Sequence, residues 1–142
     1  MKSIFMGGNV LFQVYAPSTR KVLEKNAGLE STPVSKKALL EAPKLYNDTD
    51  YIFTTWGMEH FSTEEIHACL PHLKAVFYGA GSVQHFAREF LSSGIRVFSA
   101  WGANAVPVAE YTVAQILLAN KGFFQSCARF SSKQGRSAAA EY

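Results

Sequence analysis

The sequence is poor in cysteine, in long apolar runs and in clustered charge, and each shortage removes a class of function. Cysteine occurs only as Cys69 and Cys127, and neither has a second Cys or a His at metal-ligand spacing. A disulfide framework and a zinc module are therefore excluded, and a reduced, cytoplasmic protein is expected. Both thiols are expected as small buried hydrophobes. His60, His67, His72 and His85 share no ligand spacing with Cys or a carboxylate, so no metal is expected. The best apolar run, residues 113–119, is far too short to span a bilayer, and no membrane partner is expected. Lys2 before Ile4-Phe5-Met6 imitates the start of a signal peptide, but Gly7-Gly8-Asn9 breaks the run at once. It reads as a first strand instead. The net charge is only +3, and the lysines are scattered rather than interleaved with aromatics. No nucleic-acid partner is expected.

What is present is ample apolar material: 48% hydrophobic residues and 11 Phe in 142 residues, enough for one core. Short β-branched and aromatic runs predict strands at residues 3–6, 29–34, 51–55, 75–78 and 95–99. Pro33 marks the second as an edge strand. Helices are expected at 17–26, stopped by Gly28, at 36–42, at 62–70 and at 83–91. Ser62-Thr63-Glu64-Glu65 is a capping box, with Ser62 as cap and Glu65 reaching back. Trp101-Gly102-Ala103-Asn104 reads as a turn, with Asn104 capping a helix whose first turn holds Pro107. Residues 108–119 are apolar on nearly every face, and such a helix expects cover all round. From Gln125 the periodicity fades, and residues 131–142 are polar and small. Strands alternating with helices predict an α/β fold: a flavodoxin-like, five-stranded parallel sheet of order 2-1-3-4-5. Helices cover both faces, and a long C-terminal apolar helix follows. The expected organisation is a domain at 1–103, a hinge or interface helix at 104–124 and a polar tail at 125–142.

Ligands of open parallel sheets sit at the carboxyl ends of the strands. The loops there are Gly7-Gly8-Asn9, Trp56-Gly57-Met58, Gly79-Ala80-Gly81 and residues 101–104, each with a Gly that lets backbone approach a ligand. Gly79-Ala80-Gly81 imitates a dinucleotide fingerprint, but Gln84 stands where the third Gly belongs, and Phe98-Ser99-Ala100 offers no ribose-binding acid. Free amides at a helix start remain suited to a carboxylate or another small anion. The first and third strand ends lack the acids of a phosphate-accepting receiver, and the first loop lacks the Thr and Ser of a flavin phosphate site. No Ser, Cys and His grouping suggests a nucleophile.

Residues 50–122 resemble the N-terminal part of the D-isomer-specific 2-hydroxyacid dehydrogenases. The carriers are Leu70-Pro71-His72-Leu73-Lys74-Ala75-Val76, Gly79-Ala80-Gly81, Gly94-Ile95-Arg96-Val97, Asn104 and Val108-Ala109-Glu110. The first fifty residues match in pattern only. One departure is Ser82-Val83-Gln84-His85, where the family has an Asp and then an apolar-Asp pair. The resemblance implies a substrate domain joined through the long helix to a dinucleotide-binding domain. It implies that Ala80 and Gly81 offer amides to a substrate carboxylate, that Trp56 lines the pocket, that Asn104 lies near substrate and nicotinamide, and that Val108 borders the cofactor. The family's Gly-x-Gly-x-x-Gly and its catalytic Arg, Glu and His lie downstream of the long helix. No catalytic residue is expected in this chain, which should be inactive alone.

The implied parent is an oxidoreductase interconverting 2-oxo and D-2-hydroxy acids with NAD or NADP. The unpartnered apolar helix adds the expectation of a homodimer through residues 104–124. The alternative is a non-catalytic flavodoxin-like module that binds a small anion or dimerises.

Overall fold

The computed structural model describes residues 1–131 and 134. Five parallel strands form one sheet in the order β2-β1-β3-β4-β5: β1 Ser3–Met6, β2 Leu29–Val34, β3 Tyr51–Thr54, β4 Ala75–Tyr78 and β5 Arg96–Ser99. Order, direction and strand positions agree with the expectation, and the sheet has the flavodoxin-like arrangement. The helices are α1 Leu11–Val14, α2 Pro17–Ala27, α3 Lys36–Glu41, α4 Thr63–Cys69, α5 Ala87–Ser92, α6 Trp101–Asn120 and α7 Phe123–Phe130, with a 3₁₀ turn at Pro43–Leu45. The chain divides into two compact units, Met1–Gly102 and Ala103–Tyr142.

In the first unit the strand period of two sorts the core onto two faces. Ile4, Met6, Ile52, Val76 and Tyr78 point to one side, where Leu39 of α3, Ile66 of α4 and Phe90 of α5 meet them. Phe5 and Phe53 point to the other, against Leu11 of α1, Tyr15 and Leu23 of α2. β1 lies between β2 and β3 and is buried at every residue, whereas β5 alternates exposed and half-buried. β2 is the edge that Pro33 demands, and its register with β1 shifts between Ile4 and Phe5.

Local signals set most boundaries. Gly28 ends α2 at φ +57°, and a Cβ there would stand 2.4 Å from the Met1 carbonyl oxygen. Both bonds of the capping box form: the Glu65 N–H donates to Ser62 Oγ at 3.2 Å, and the Ser62 N–H to Glu65 Oε2 at 2.8 Å. Lys36 pairs with the same carboxylate at 2.7 Å and, with that hydrogen bond, holds it below the usual range. At the amino ends of the strands, Lys74 and the Lys2 N–H bind Asp50, whose carboxyl is lowered, chiefly by Lys74.

Several expectations are corrected. The helix expected at 83–91 starts at Ala87, after a turn in which the Phe86 N–H donates to the Val83 carbonyl at 3.2 Å. The Gly79-Ala80-Gly81 amides are therefore not at a helix start. The expected turn at 101–104 is helical: α6 begins at Trp101, so Asn104 is interior and caps nothing. Pro107 also lies inside α6, where it removes one backbone donor. Residues 104–124 are not one helix, since Gly122 at φ +67° separates α6 from α7. Residues 125–130, read as aperiodic, belong to α7; beyond Ser131 the expected tail falls outside the described residues, apart from residue 134. Cys69 is buried as expected, but Cys127 is exposed. The short α1 was not expected, because one helical turn is below the length at which periodicity can be read.

The second unit consists of α6 from Ala103 onward and α7. No residue of either helix is buried, although Glu110 is the single charge in α6. Among the described residues Val106, Val108, Val113, Ile116 and Leu117 are all more than half exposed. Among the described residues no helix is long and apolar enough to cross a membrane.

Candidate site at the carboxyl ends of the strands

Register brings the strand ends side by side. Thr54 of β3 lies opposite Tyr78 of β4, and Tyr78 opposite Ser99 of β5. The loops that follow β3 and β4 are thus neighbours at one end of the sheet. Gly7-Gly8-Asn9 leaves β1 at the same end and turns directly into α1.

The loop after β4 is anchored on both sides. The Gly79 N–H donates to the Thr54 carbonyl at 2.8 Å, and the Ala100 N–H to the Tyr78 carbonyl at 3.0 Å. Ser99 Oγ lies 3.0 Å from the Ala80 carbonyl oxygen and also within hydrogen-bond reach of the Gly81 carbonyl. Ala80 is fully buried and Gly81 half-buried. Among the described residues neither Ala80 N–H nor Gly81 N–H finds an acceptor. A planar trans peptide points its C=O and N–H in opposite directions. With the Ala80 and Gly81 carbonyls drawn to Ser99, the Gly81 and Ser82 N–H groups are turned away from it. Two neighbouring donors with no internal partner suit an anion.

Gly79 has a different duty from the one its motif suggests. A Cβ there would lie 2.9 Å from Val14 Cγ1 and 3.1 Å from Tyr15 Oη. Gly79 makes room for Tyr15, whose hydroxyl donates to the Thr54 carbonyl at 2.9 Å. Burial pushes the Tyr15 phenol up to about 12, so it stays a neutral strut at every physiological pH. Thr54 Oγ1 in turn donates to the Met6 carbonyl at 2.7 Å and ties the ends of β1 and β3.

Trp56, after β3, is 52% exposed, while Met58 two residues on is buried. Gly57 at φ +87° and a bond from the Met58 N–H to the Thr55 carbonyl make this a tight turn that pushes the indole outward. Among the described residues the buried Thr55 hydroxyl has no partner. Asn104 and Val108 belong to the second unit; Asn104 is half-buried and Val108 is 59% exposed. Of the predicted site residues, Trp56, Ala80 and Gly81 therefore share one end of the sheet, and the other two stand on α6.

Sequence reading missed Ser99, Tyr15 and Thr55. Ser99 had a signal, a lone hydroxyl closing an apolar strand. Tyr15 had none, because its target is a main-chain carbonyl far along the chain. The histidines lie elsewhere: His60 pairs with Glu89 at 3.3 Å, and His85 packs on Phe86. Among the described residues no three His, Cys, Asp or Glu side chains gather as a metal site requires. α5 begins six residues after Gly81, so no helix amino end meets the glycine loop to take a pyrophosphate.

The fold is thus an α/β parallel sheet of order β2-β1-β3-β4-β5. Two solved structures share it. One is a glyoxylate reductase from Paecilomyes thermophila, with 17% identity and a TM-score of 0.51 over 69% of this chain and 31% of that one. The other is an NAD-dependent formate dehydrogenase from Staphylococcus aureus in complex with NAD, with 20% identity and a TM-score of 0.57 over 90% of this chain and 41% of that one. This chain spans well under half the length of either. No family model matches the chain, and no curated protein matches it.

Proposed function

We propose that this chain is the substrate-binding part of an NAD(P)-dependent oxidoreductase that interconverts 2-oxo and D-2-hydroxy acids, and that alone it turns nothing over. The observation that carries the reading is the loop after β4. Its Ala80 and Gly81 N–H groups have no internal acceptor, and Ser99 draws the loop carbonyls aside. A carboxylate fits two such donors, and hydrogen bonds to an ionised group are about twice as strong as neutral ones. Every 2-oxo or 2-hydroxy acid carries that group. The shared fold with a glyoxylate reductase and a formate dehydrogenase supports the reading.

Trp56 lines the substrate pocket from the neighbouring loop, Asn104 stands near substrate and nicotinamide, and Val108 borders the cofactor. The nicotinamide, NAD or NADP, supplies or accepts the hydride. The cofactor and the acid–base groups come from a dinucleotide-binding domain. The protein acts in the cytoplasm as a homodimer through residues 104–124, whose exposed valines and leucines need a partner.

Amide NMR tests the anion site. Glyoxylate should shift the Ala80 and Gly81 signals, and Gly81→Val should abolish the shift; unmoved signals would remove the loop from the site. Turnover of pyruvate, glyoxylate or hydroxypyruvate with NADH by the homogeneous chain would overturn its inactivity.

A second reading, a non-catalytic anion-binding or dimerisation module, draws on the exposed apolar residues of α6. Joining the chain to a dinucleotide-binding domain separates the two: the dehydrogenase gains turnover and the module does not. Light scattering tests the dimer itself. A mass near 15.7 kDa would defeat it, and Leu117→Lys should yield monomer.

A further inference from the structure

The glycine loop after β4 is held by contacts of two kinds. The Gly79 N–H donates to the Thr54 carbonyl of β3 at 2.8 Å, and Tyr15 fills the space behind Gly79. Both act where the loop leaves its strand. The peptides beyond that point are met by Ser99, the last residue of β5. Its Oγ lies 3.0 Å from the Ala80 carbonyl oxygen and within hydrogen-bond reach of the Gly81 carbonyl. Ser99 stands opposite Tyr78 in register, and the Ala100 N–H that follows it donates to the Tyr78 carbonyl at 3.0 Å. The hydroxyl thus reaches the loop from a strand that the sheet holds in place.

A hydroxyl has one proton to donate. Two carbonyls that converge on it are drawn to one point, and each trans peptide carries its N–H on the side opposite its C=O. The Gly81 and Ser82 N–H groups therefore lie together on the far side, and among the described residues neither finds an acceptor. Successive amides aimed the same way form a concave nest for an anion. The arrangement does not enforce itself. Glycine takes φ of either sign, and a turn with glycine at its third position passes between types I and II when its central peptide turns over. Turned over, the Ala80–Gly81 peptide presents an oxygen where a carboxylate would sit, and the two repel. Ala80 is wholly buried, and a buried carbonyl requires a donor. Ser99 is the donor it has.

We infer that Ser99 is a positioning residue of the carboxylate site: its hydroxyl selects the peptide orientation that aims the Gly81 and Ser82 N–H groups at the ligand. Ser99 does not touch the ligand and acts through the loop alone. The inference rests on the anion reading proposed above, which already includes the Gly81 N–H, and deepens it in two ways. It adds the Ser82 N–H to the donors, and it makes the competence of the loop depend on a hydroxyl 18 or 19 residues further along the chain.

Titration of the ¹³C,¹⁵N-labelled chain with glyoxylate tests this, followed at the Ala80, Gly81 and Ser82 amides. Thr and Val have nearly the same shape and both suit a strand, but only Thr keeps the hydroxyl. Ser99→Thr should bind glyoxylate as the unaltered chain does. Ser99→Val should bind it about five- to tenfold more weakly, the ordinary worth of one hydrogen bond. Ser99→Ala, which adds no bulk to β5, should lose as much as Ser99→Val. Without ligand, the Ala80 carbonyl ¹³C signal should stay in place in Ser99→Thr and move in the other two variants, a local signature that a general loss of stability does not produce. Thr and Val variants that bind alike overturn the role of Ser99, whether both keep the affinity or both lose it. So does a Ser99→Ala chain that binds as tightly as the unaltered one; in either case glyoxylate shifts at Ala80 and Gly81 of the unaltered chain leave the anion site standing. An unaltered chain whose Ala80 and Gly81 amides ignore glyoxylate removes both the site and the role.

Discussion

The two units of this chain bury their apolar residues in opposite ways. In Met1–Gly102, Phe5, Phe61, Phe86 and Phe90 are wholly shielded by the sheet and its helices. In the second unit Val113, Ile116, Leu117, Phe123 and Phe124 are as apolar, yet each is roughly half exposed. Composition alone would have assigned both sets to a core. What separates them is the layering inside each unit: a sheet with helices on two sides closes on itself, whereas two consecutive helices cannot shield all their faces.

The comparison breaks most sharply at Phe61. It is fully buried and meets Phe90 edge to face at 5.8 Å. Phe61→Ala should cost about 3–5 kcal/mol by urea unfolding. A cost under about 1 kcal/mol would mean that the first unit is no better packed than the second.

Next in size is the start of α4. Ser62→Ala removes one half of the capping box and should cost about 1 kcal/mol. The same measurement on Asn104→Ala sharpens the contrast: Asn104 is interior to α6 and caps nothing, so no capping loss is expected there. A loss as large as that of Ser62→Ala would restore Asn104 as a cap.

A smaller effect concerns acid. Asp50 and Glu65, both in the first unit, are held below their usual range by Lys74 and Lys36. A carboxyl lowered in the folded state adds stability above its unfolded pKa and loses it as pH falls through its folded one. Stability should therefore decline on acidification through and below the ordinary carboxylate range. Asp50→Asn and Glu65→Gln should make that decline shallower; an unchanged slope would mean that these pairs are screened by solvent.

The smallest effect is expected at Leu117. At 58% exposure, Leu117→Ala should change the unfolding of monomeric chain by no more than about 0.5 kcal/mol. A loss of about 2 kcal/mol would show that α6 is covered in solution.

Legibility followed the range of the determining interaction. The strands, the stop at Gly28, the edge role of β2 and the Ser62 cap were readable, because each depends on neighbours a few residues away. The start of α5 was not: Val83 to Phe86 carry an amphipathic pattern, but the main chain turns there instead. At the candidate site the glycine loop was visible, and its true constraint was not. Gly79 reads as a ligand-approach glycine and is small because Tyr15 stands behind it. The Ser99 bonds to the loop carbonyls were equally invisible, since they join residues 19 and 18 positions apart.

The sequence by itself determined which segments become strands and where most helices end, through side-chain period, turn residues and capping chemistry. Only the tertiary structure decided which apolar residues are covered, which way the Gly81 and Ser82 amides face, and that α6 runs unbroken from Trp101. The reason is physical. Local propensity is encoded in adjacent residues, whereas burial and the direction of a main-chain group depend on partners that the fold brings from elsewhere in the chain.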